Sequence, residues 1–398
     1  MSVPAVKKTP RKVFIKLHRW TGLLLLAFLF IAGFTGAAIS FRGELERIIN
    51  PHLFVVEPSA KERPYAEIIT TVESRFPDAV AGMLRLPKKS DDALLVSLRP
   101  KQEAPGRKKP QTGMQSSTRF DQVMVNPYTG QILGQRNTTQ FVLSRTNLLP
   151  LLSRLHYSLF LGKTGILVMG WCAVVWLVTL FFGLTLSWPA KSHRVASWLS
   201  LLKVRLKEGN YKINYDLHQF ASVLIFPVMV VVSFSAIYLN LPETVTPITN
   251  IVAPVTPIPH IKSKIPLQVT GIGCSVDDAI EVVQSTFPKT SVYSVNRDLK
   301  NGVFTIRFIL PGDVSPNGNN YAYISMATGE VEHLRLAETG SAGDRFINWM
   351  RPLHSGKAFG LFGQITVFLG AIFLCVICVT GLNVYIGKTS RHLKVEKV

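Results

Sequence analysis

Lys16-Leu17-His18-Arg19-Trp20-Thr21-Gly22-Leu23-Leu24-Leu25 opens the first long apolar run of this 398-residue chain. Leu217-His218 opens a third run, 200 residues further on. Arg154-Leu155-His156-Tyr157-Ser158-Leu159-Phe160-Leu161-Gly162-Lys163-Thr164-Gly165 stands ahead of the second run, and Leu353-His354, 198 residues later, stands ahead of the fourth. An ionisable side chain at the end of a membrane helix costs free energy unless it is partnered, so such residues are functional candidates by default. Four of them in two matched sets point to two bis-histidine sites.

Working outward, four apolar segments at roughly 18–41, 160–187, 217–240 and 358–386 meet the requirement of about 20 residues for a bilayer span. The chain is 47% hydrophobic, with a mean hydropathy of +0.25, too apolar for an ordinary soluble enzyme. The net charge of +20 is placed in a telling way. Segment 1–19 has six Lys/Arg and no acid, 189–216 has six and two acids, and 387–398 has four and one acid. Basic residues beside spans mark the cytoplasmic side. All three segments fall on one side of a four-span chain, so both termini are expected in the cytoplasm. No basic stripe is interleaved with aromatics, so nucleic acid is not an expected partner. The first run is longer than a signal-peptide core and resembles the internal third run, so it is read as a retained helix.

The expected organisation is a tail 1–17, a helix 18–41, a domain 42–155, a helix 156–187, a loop 188–216, a helix 217–240, a domain 241–353, a helix 354–386 and a tail 387–398. The two halves are an internal duplication. Leu17, His18, Trp20, Phe34 and Gly36 match Leu217, His218, Phe220, Phe234 and Ala236, while Leu155, His156, Gly162, Gly183 and Leu184 match Leu353, His354, Gly360, Gly381 and Leu382. The amphipathic stretch 66–77 ends in Phe76-Pro77, and 279–288 ends in Phe287-Pro288. Tyr128-Thr129-Gly130-Gln131 and Ala327-Thr328-Gly329-Glu330 read as hairpin turns. Strands are predicted at 93–98, 120–126, 131–135, 291–296, 303–310, 320–325 and 330–335. The polar stretch 100–118 reads as a loop, and the proline-rich 242–260 as an extended linker. The fold class is therefore an α-helical integral membrane protein: a four-helix transmembrane bundle with two extracytoplasmic α+β domains.

The paired Leu-His motifs, the Phe-Pro-ended helix and the Thr-Gly hairpin resemble the PepSY-associated transmembrane family, often labelled iron-regulated membrane protein. The resemblance covers nearly the whole chain and implies PepSY-like extracytoplasmic domains. Within the family the nearest functional likeness is to di-haem ferric-siderophore reductases of the ferrioxamine type in the bacterial inner membrane. It implies a ferric siderophore as substrate. The chain carries no flavin or nicotinamide fingerprint, so its electrons are expected from a cytoplasmic donor or the quinol pool.

The residues carry their own argument about the cofactor. A helix of about 24 residues covers ~36 Å, so a histidine near one end cannot meet one near the other. The expected pairs are His18 with His218 and His156 with His354. Two imidazoles facing each other in an apolar bundle suit six-coordinate iron porphyrin, giving two haem b. Zinc fits less well, because no Cys, Asp or Glu accompanies either pair. Taken singly, each histidine also fits a capping or interfacial role. Arg19, Arg154 and Arg351 are placed to meet haem propionates, though Arg19 equally fits ordinary membrane-flanking charge. Trp20, Tyr157 and Trp349 are placed to pack on the ring edge, and Met114, Tyr128, Tyr321 and Tyr323 are weaker candidates for a substrate wall. His52, His193, His260, His333 and His392 have no matching partner. Of Cys172, Cys274, Cys375 and Cys378, three lie in spans and read as buried hydrophobes. The competing expectation is a non-enzymatic membrane protein whose domains bind a periplasmic partner such as a protease.

Overall fold

A computed structural model describes residues 10–101, 121–188, 199–257, 259–265 and 271–395. The chain divides into two compact units: Met1–Phe41, Leu152–Ile248 and Met350–Val398 form the first, and Arg42–Leu151 with Thr249–Trp349 the second.

The first unit is built on four long helices, α1 (Pro10–Ser40), α6 (Gly162–Ser187), α7 (Asn210–Asn240) and α11 (Gly360–Val395). Each is long and apolar enough to cross a membrane. The 31 residues of α1 run ~46 Å at about 1.5 Å per residue, more than the ~30 Å hydrocarbon core. α1 packs against α6 and α11, and α7 packs against the same two, so α1 and α7 stand on one diagonal of the bundle. Leu25, Trp176, Ile225, Met229, Leu374 and Cys378 form its buried core.

Two short helices lead into this unit, α5 (Leu148–Ser158) and α10 (Ala342–His354). Here the structure corrects the expectation of unbroken helices over 156–187 and 354–386. His156 lies on α5 and His354 ends α10, each separated from the span that follows. The first break is made by Leu159 and Phe160, both at positive φ, and the second by Gly356 at φ 72° and a 3-10 turn over Lys357–Phe359. The expectation of an extended linker at 242–260 is also corrected in part: α8 (Pro242–Val252) is helical. Pro242 at the first helical position costs nothing, because its missing N–H has no intrahelical partner there.

The second unit contains α2 (Arg42–Ile49), α3 (Pro51–Phe54), α4 (Tyr65–Arg75) and α9 (Val276–Thr286). Its strands are β1 (Ala79–Arg85), β2 (Leu94–Pro100), β3 (Gln122–Val125), β4 (Ile132–Arg136), β5 (Ser291–Asp298), β6 (Val303–Ile309), β7 (Asn320–Ser325) and β8 (Val331–Arg335). They form one antiparallel sheet in the order β4-β3-β2-β1-β5-β6-β7-β8. The two repeats are thus joined edge to edge through β1 and β5, with Leu84 opposite Val295. α4 and α9 place Ile68, Val72, Ala279, Ile280 and Val283 on one face of the sheet, at helical spacing. Asp277 of the second repeat accepts from the backbone N–H groups of Tyr65 and Ala66, capping the helix of the first. The two hairpins repeat in detail: Gly130 and Gly329 have φ of 75° and 77°, and their N–H groups bond to the carbonyls of Asn126 and Ser325.

On the opposite face α3 packs Leu53 and Phe54 against Leu95 and Met124. Beside them a buried ion pair ties α2 to β4: Arg136 Nη1 donates to both Glu46 oxygens, at 2.9 and 3.0 Å. Burial pulls the Arg136 guanidinium below its ordinary pKa, and Glu46 opposes that shift. Removing one partner of such a pair strands a buried charge, at a cost of about 3–5 kcal/mol. Glu46→Ala is therefore expected to lower the unfolding midpoint of the detergent-solubilised protein sharply. An unchanged midpoint would contradict this role.

Candidate cofactor site

All four histidines of the matched sets lie in the bundle unit, and each is bound to a neighbouring long helix in the same way. His18 Nδ1, on α1, lies 3.3 Å from the carbonyl of Thr179 on α6. His218 Nδ1, on α7, lies 3.0 Å from the carbonyl of Ile377 on α11. His156 Nδ1, on α5, reaches the carbonyl of Ala32 on α1 at 3.1 Å, and His354 Nδ1, on α10, that of Val232 on α7 at 3.2 Å. A carbonyl oxygen can only accept, so Nδ1 carries the proton in every case. A neutral ring then keeps its lone pair on Nε2, the atom available to a metal. The Nε2 atoms have no hydrogen-bond partner among the described residues.

A helix carbonyl already accepts from the N–H four residues on, so the histidine must use its second lone pair. A helical side chain leans back over the preceding turn and would cover that lone pair. The residue four positions after each acceptor is Gly183, Gly381, Gly36 and Ala236. A Cβ added at Gly183 would stand 3.1 Å from His18 Cε1, at Gly381 3.0 Å from His218 Cε1, and at Gly36 3.1 Å from His156 Cε1. Small residues at these positions are what let the rings seat.

The rings meet in the expected pairs. The centroids of His18 and His218 are 6.3 Å apart with 75° between the ring planes, and those of His156 and His354 are 6.2 Å apart with 62° between them. Two in-line metal–imidazole bonds of about 2 Å, with about 1 Å from each nitrogen to its ring centre, give about 6 Å between centroids. Both spacings fit axial ligation of one metal from opposite sides. Among the described residues no group of three His, Cys, Asp or Glu could hold a metal ion. A closed zinc site needs four protein ligands, whereas a porphyrin brings four nitrogens of its own and asks the protein for two. The donor set therefore fits haem.

The three arginines differ. Arg19, beside His18, has a buried Nε with no hydrogen-bond partner, and its guanidinium lies 5.5 Å from the Trp20 ring centre. An orphaned buried donor next to the histidine pair fits a site for an anionic group. Arg154, two residues before His156, likewise buries its Nε, and its guanidinium lies 5.7 Å from the Phe160 ring centre, whereas Arg351 is exposed. Trp20, Tyr157 and Trp349 are exposed. Tyr128 donates to the carbonyl of Ser90, Tyr321 stacks with Arg307, and Tyr323 is buried beside His333. Met114 and His193 lie outside the described residues, as does the stretch 102–118.

The sequence matches the family model described as PepSY-associated TM region over residues 15–388. The chain belongs to this family. The matched residues include all four histidines and both halves of the duplication. No curated protein matches the chain. As a PepSY-associated TM protein it has four long apolar helices together with an extramembrane sheet.

Sequence reasoning missed the acceptor carbonyls, which leave no mark in side-chain chemistry, and the hydroxyls of Thr35, Ser235 and Thr380. Thr35 Oγ1 lies 3.0 Å from His156 Nδ1, Ser235 Oγ 3.1 Å from His354 Nδ1, and Thr380 Oγ1 3.3 Å from His218 Nδ1. The signal was present in part: Thr35 and Ser235 are equivalent positions of the duplication, as are Gly183 and Gly381.

Gly381→Val, which pushes a side chain against the His218 ring, is expected to destabilise the protein by about 1–3 kcal/mol through overpacking. In a His218→Ala background, which removes the obstructed ring, most of that cost should vanish. Unfolding midpoints of the double-mutant cycle measure the coupling. Additive effects would contradict the seating role.

Proposed function

We propose that the chain is a di-haem b oxidoreductase of the bacterial inner membrane, with both termini cytoplasmic, that reduces a ferric siderophore on the periplasmic side and so releases Fe(II) for uptake. The observation that carries this reading is the repeated one: two opposed imidazole pairs at the same spacing, every Nδ1 held by a backbone carbonyl. His18 and His218 would ligate one haem, and His156 and His354 the other. Bound haem supplies one-electron ferric/ferrous chemistry at each pair. The protein's own part is to fix ring orientation and tautomer, to exclude water with an apolar bundle, and to offer Arg19, Arg154 and Arg351 to the propionates.

The substrate rests on the family likeness. Hard oxygen ligands of a siderophore favour the more highly charged ion, so reduction of Fe(III) weakens chelation. No acid–base residue is needed for that step. The electron donor, a cytoplasmic protein or quinol, is likewise part of the proposal.

Pyridine-haemochrome quantitation on purified full-length protein tests the reading. Two haems per chain are expected. His18→Ala and His218→Ala should each remove the same haem, and His156→Ala and His354→Ala the other. Ferrous-chelator trapping with ferric siderophores and dithionite-reduced protein tests the activity. Folded, colourless protein from haem-replete cells would overturn the reading in favour of a non-enzymatic membrane protein that binds a partner such as a protease.

A further inference from the structure

The two histidine pairs are alike in their carbonyl acceptors and differ in a second acceptor. At the His156/His354 pair, both rings have a hydroxyl at Nδ1 as well as a carbonyl, Thr35 Oγ1 at 3.0 Å and Ser235 Oγ at 3.1 Å. At the His18/His218 pair only His218 has one, Thr380 Oγ1 at 3.3 Å. The position of Thr380 in the second half corresponds to Phe182 in the first, which cannot supply a hydroxyl.

The direction of these bonds is fixed by the hydroxyl protons. Thr35 Oγ1 donates to the carbonyl of Ile31 at 2.5 Å, and Ser235 Oγ donates to that of Val231 at 2.7 Å. With that proton committed, each hydroxyl turns a lone pair toward the imidazole and can only accept from Nδ1–H. Thr35 and Ser235 are themselves buried, so water does not compete with the ring for their lone pairs. The Nδ1–H of His156 is thus shared between Ala32 and Thr35, and that of His354 between Val232 and Ser235.

We propose that Thr35 and Ser235 are positioning residues that lower the reduction potential at the His156/His354 pair. Two acceptors draw the Nδ1 proton outward and raise the electron density at Nε2, making each ring a stronger donor. A stronger axial donor favours the ferric over the ferrous state, so the midpoint moves to more negative values. A more strongly reducing site suits a substrate whose oxygen ligands hold Fe(III) tightly. The inference rests on the haem reading above, and its failure can be told apart from the failure of that reading.

The test is a potentiometric titration of full-length protein, followed in the visible spectrum, with haem counted in each sample. In Thr35→Val and in Ser235→Ala, two haems per chain should remain. One of the two midpoints should move to a more positive potential while the other stays in place. The double variant should move it further. Thr35→Ser and Ser235→Thr keep the hydroxyl and should behave as wild type. The midpoint that moves should be the one lost in His156→Ala. Two haems with both midpoints unmoved would overturn the inference and leave the haem reading standing. Movement of the midpoint belonging to His18 would also overturn it. Loss of haem from Thr35→Val, Thr35→Ala and Ser235→Ala alike would overturn it too, since a tuning hydroxyl leaves ligation intact. Wild-type protein without haem would remove both.

Discussion

The bond from each histidine Nδ1–H to a backbone carbonyl on the adjacent long helix is the constraint on which the bundle's site depends. A buried imidazole with no partner would cost the desolvation of a polar group, and a ring free to turn would present either nitrogen. The carbonyl removes both problems with one contact. It does so only because the residue one turn further along is Gly36, Gly183, Gly381 or Ala236, whose missing or minimal side chain leaves the second lone pair of the acceptor open. Helix packing, ring tautomer and the direction of Nε2 are therefore set together.

The same geometry explains why the helices break where they do. His156 and His354 sit on short helices that end just before the second and fourth spans, and positive-φ residues make the turn. In the second half Gly356 adopts the left-handed conformation without penalty, whereas in the first half Leu159 and Phe160 adopt it at a cost of order 1–2 kcal/mol each. A continuous helix through either histidine would tie its ring to the direction of the span. The break frees the short helix to aim the ring at its partner. In the extramembrane unit the duplication is expressed differently: two repeats share one sheet, and Asp277 of one caps the helix of the other.

Much of this was legible in the sequence, and the limits have physical causes. The four spans were readable because hydropathy over some twenty residues is a strong signal, and the pairing of the histidines because a helix length exceeds any side chain's reach. The hairpins at Gly130 and Gly329 were readable from turn chemistry. β1 was not: its Ala79, Ala81 and Gly82 are small, and a bulge between Ala81 and Met83 interrupts the alternation that marks a strand. The break after His156 was hidden because Leu159 and Phe160 are apolar residues with no intrinsic preference for positive φ. α8 was hidden by its prolines, one of which stands where a helix tolerates it. At the site, the histidines announced themselves by their cost, whereas Thr35 and Ser235 were lost among the ordinary hydroxyls of a membrane helix.

In the proposed reading, opposed imidazoles locked through Nδ1 would ligate one iron from both sides at each of two levels in the bundle. Electron paramagnetic resonance of the oxidised, intact protein in detergent tests it most directly. Low-spin ferric signals typical of bis-imidazole ligation are expected, integrating to two spins per chain, with no significant high-spin component. Folded protein from haem-replete cells that gives no ferric-haem signal, or only a high-spin one, would contradict it.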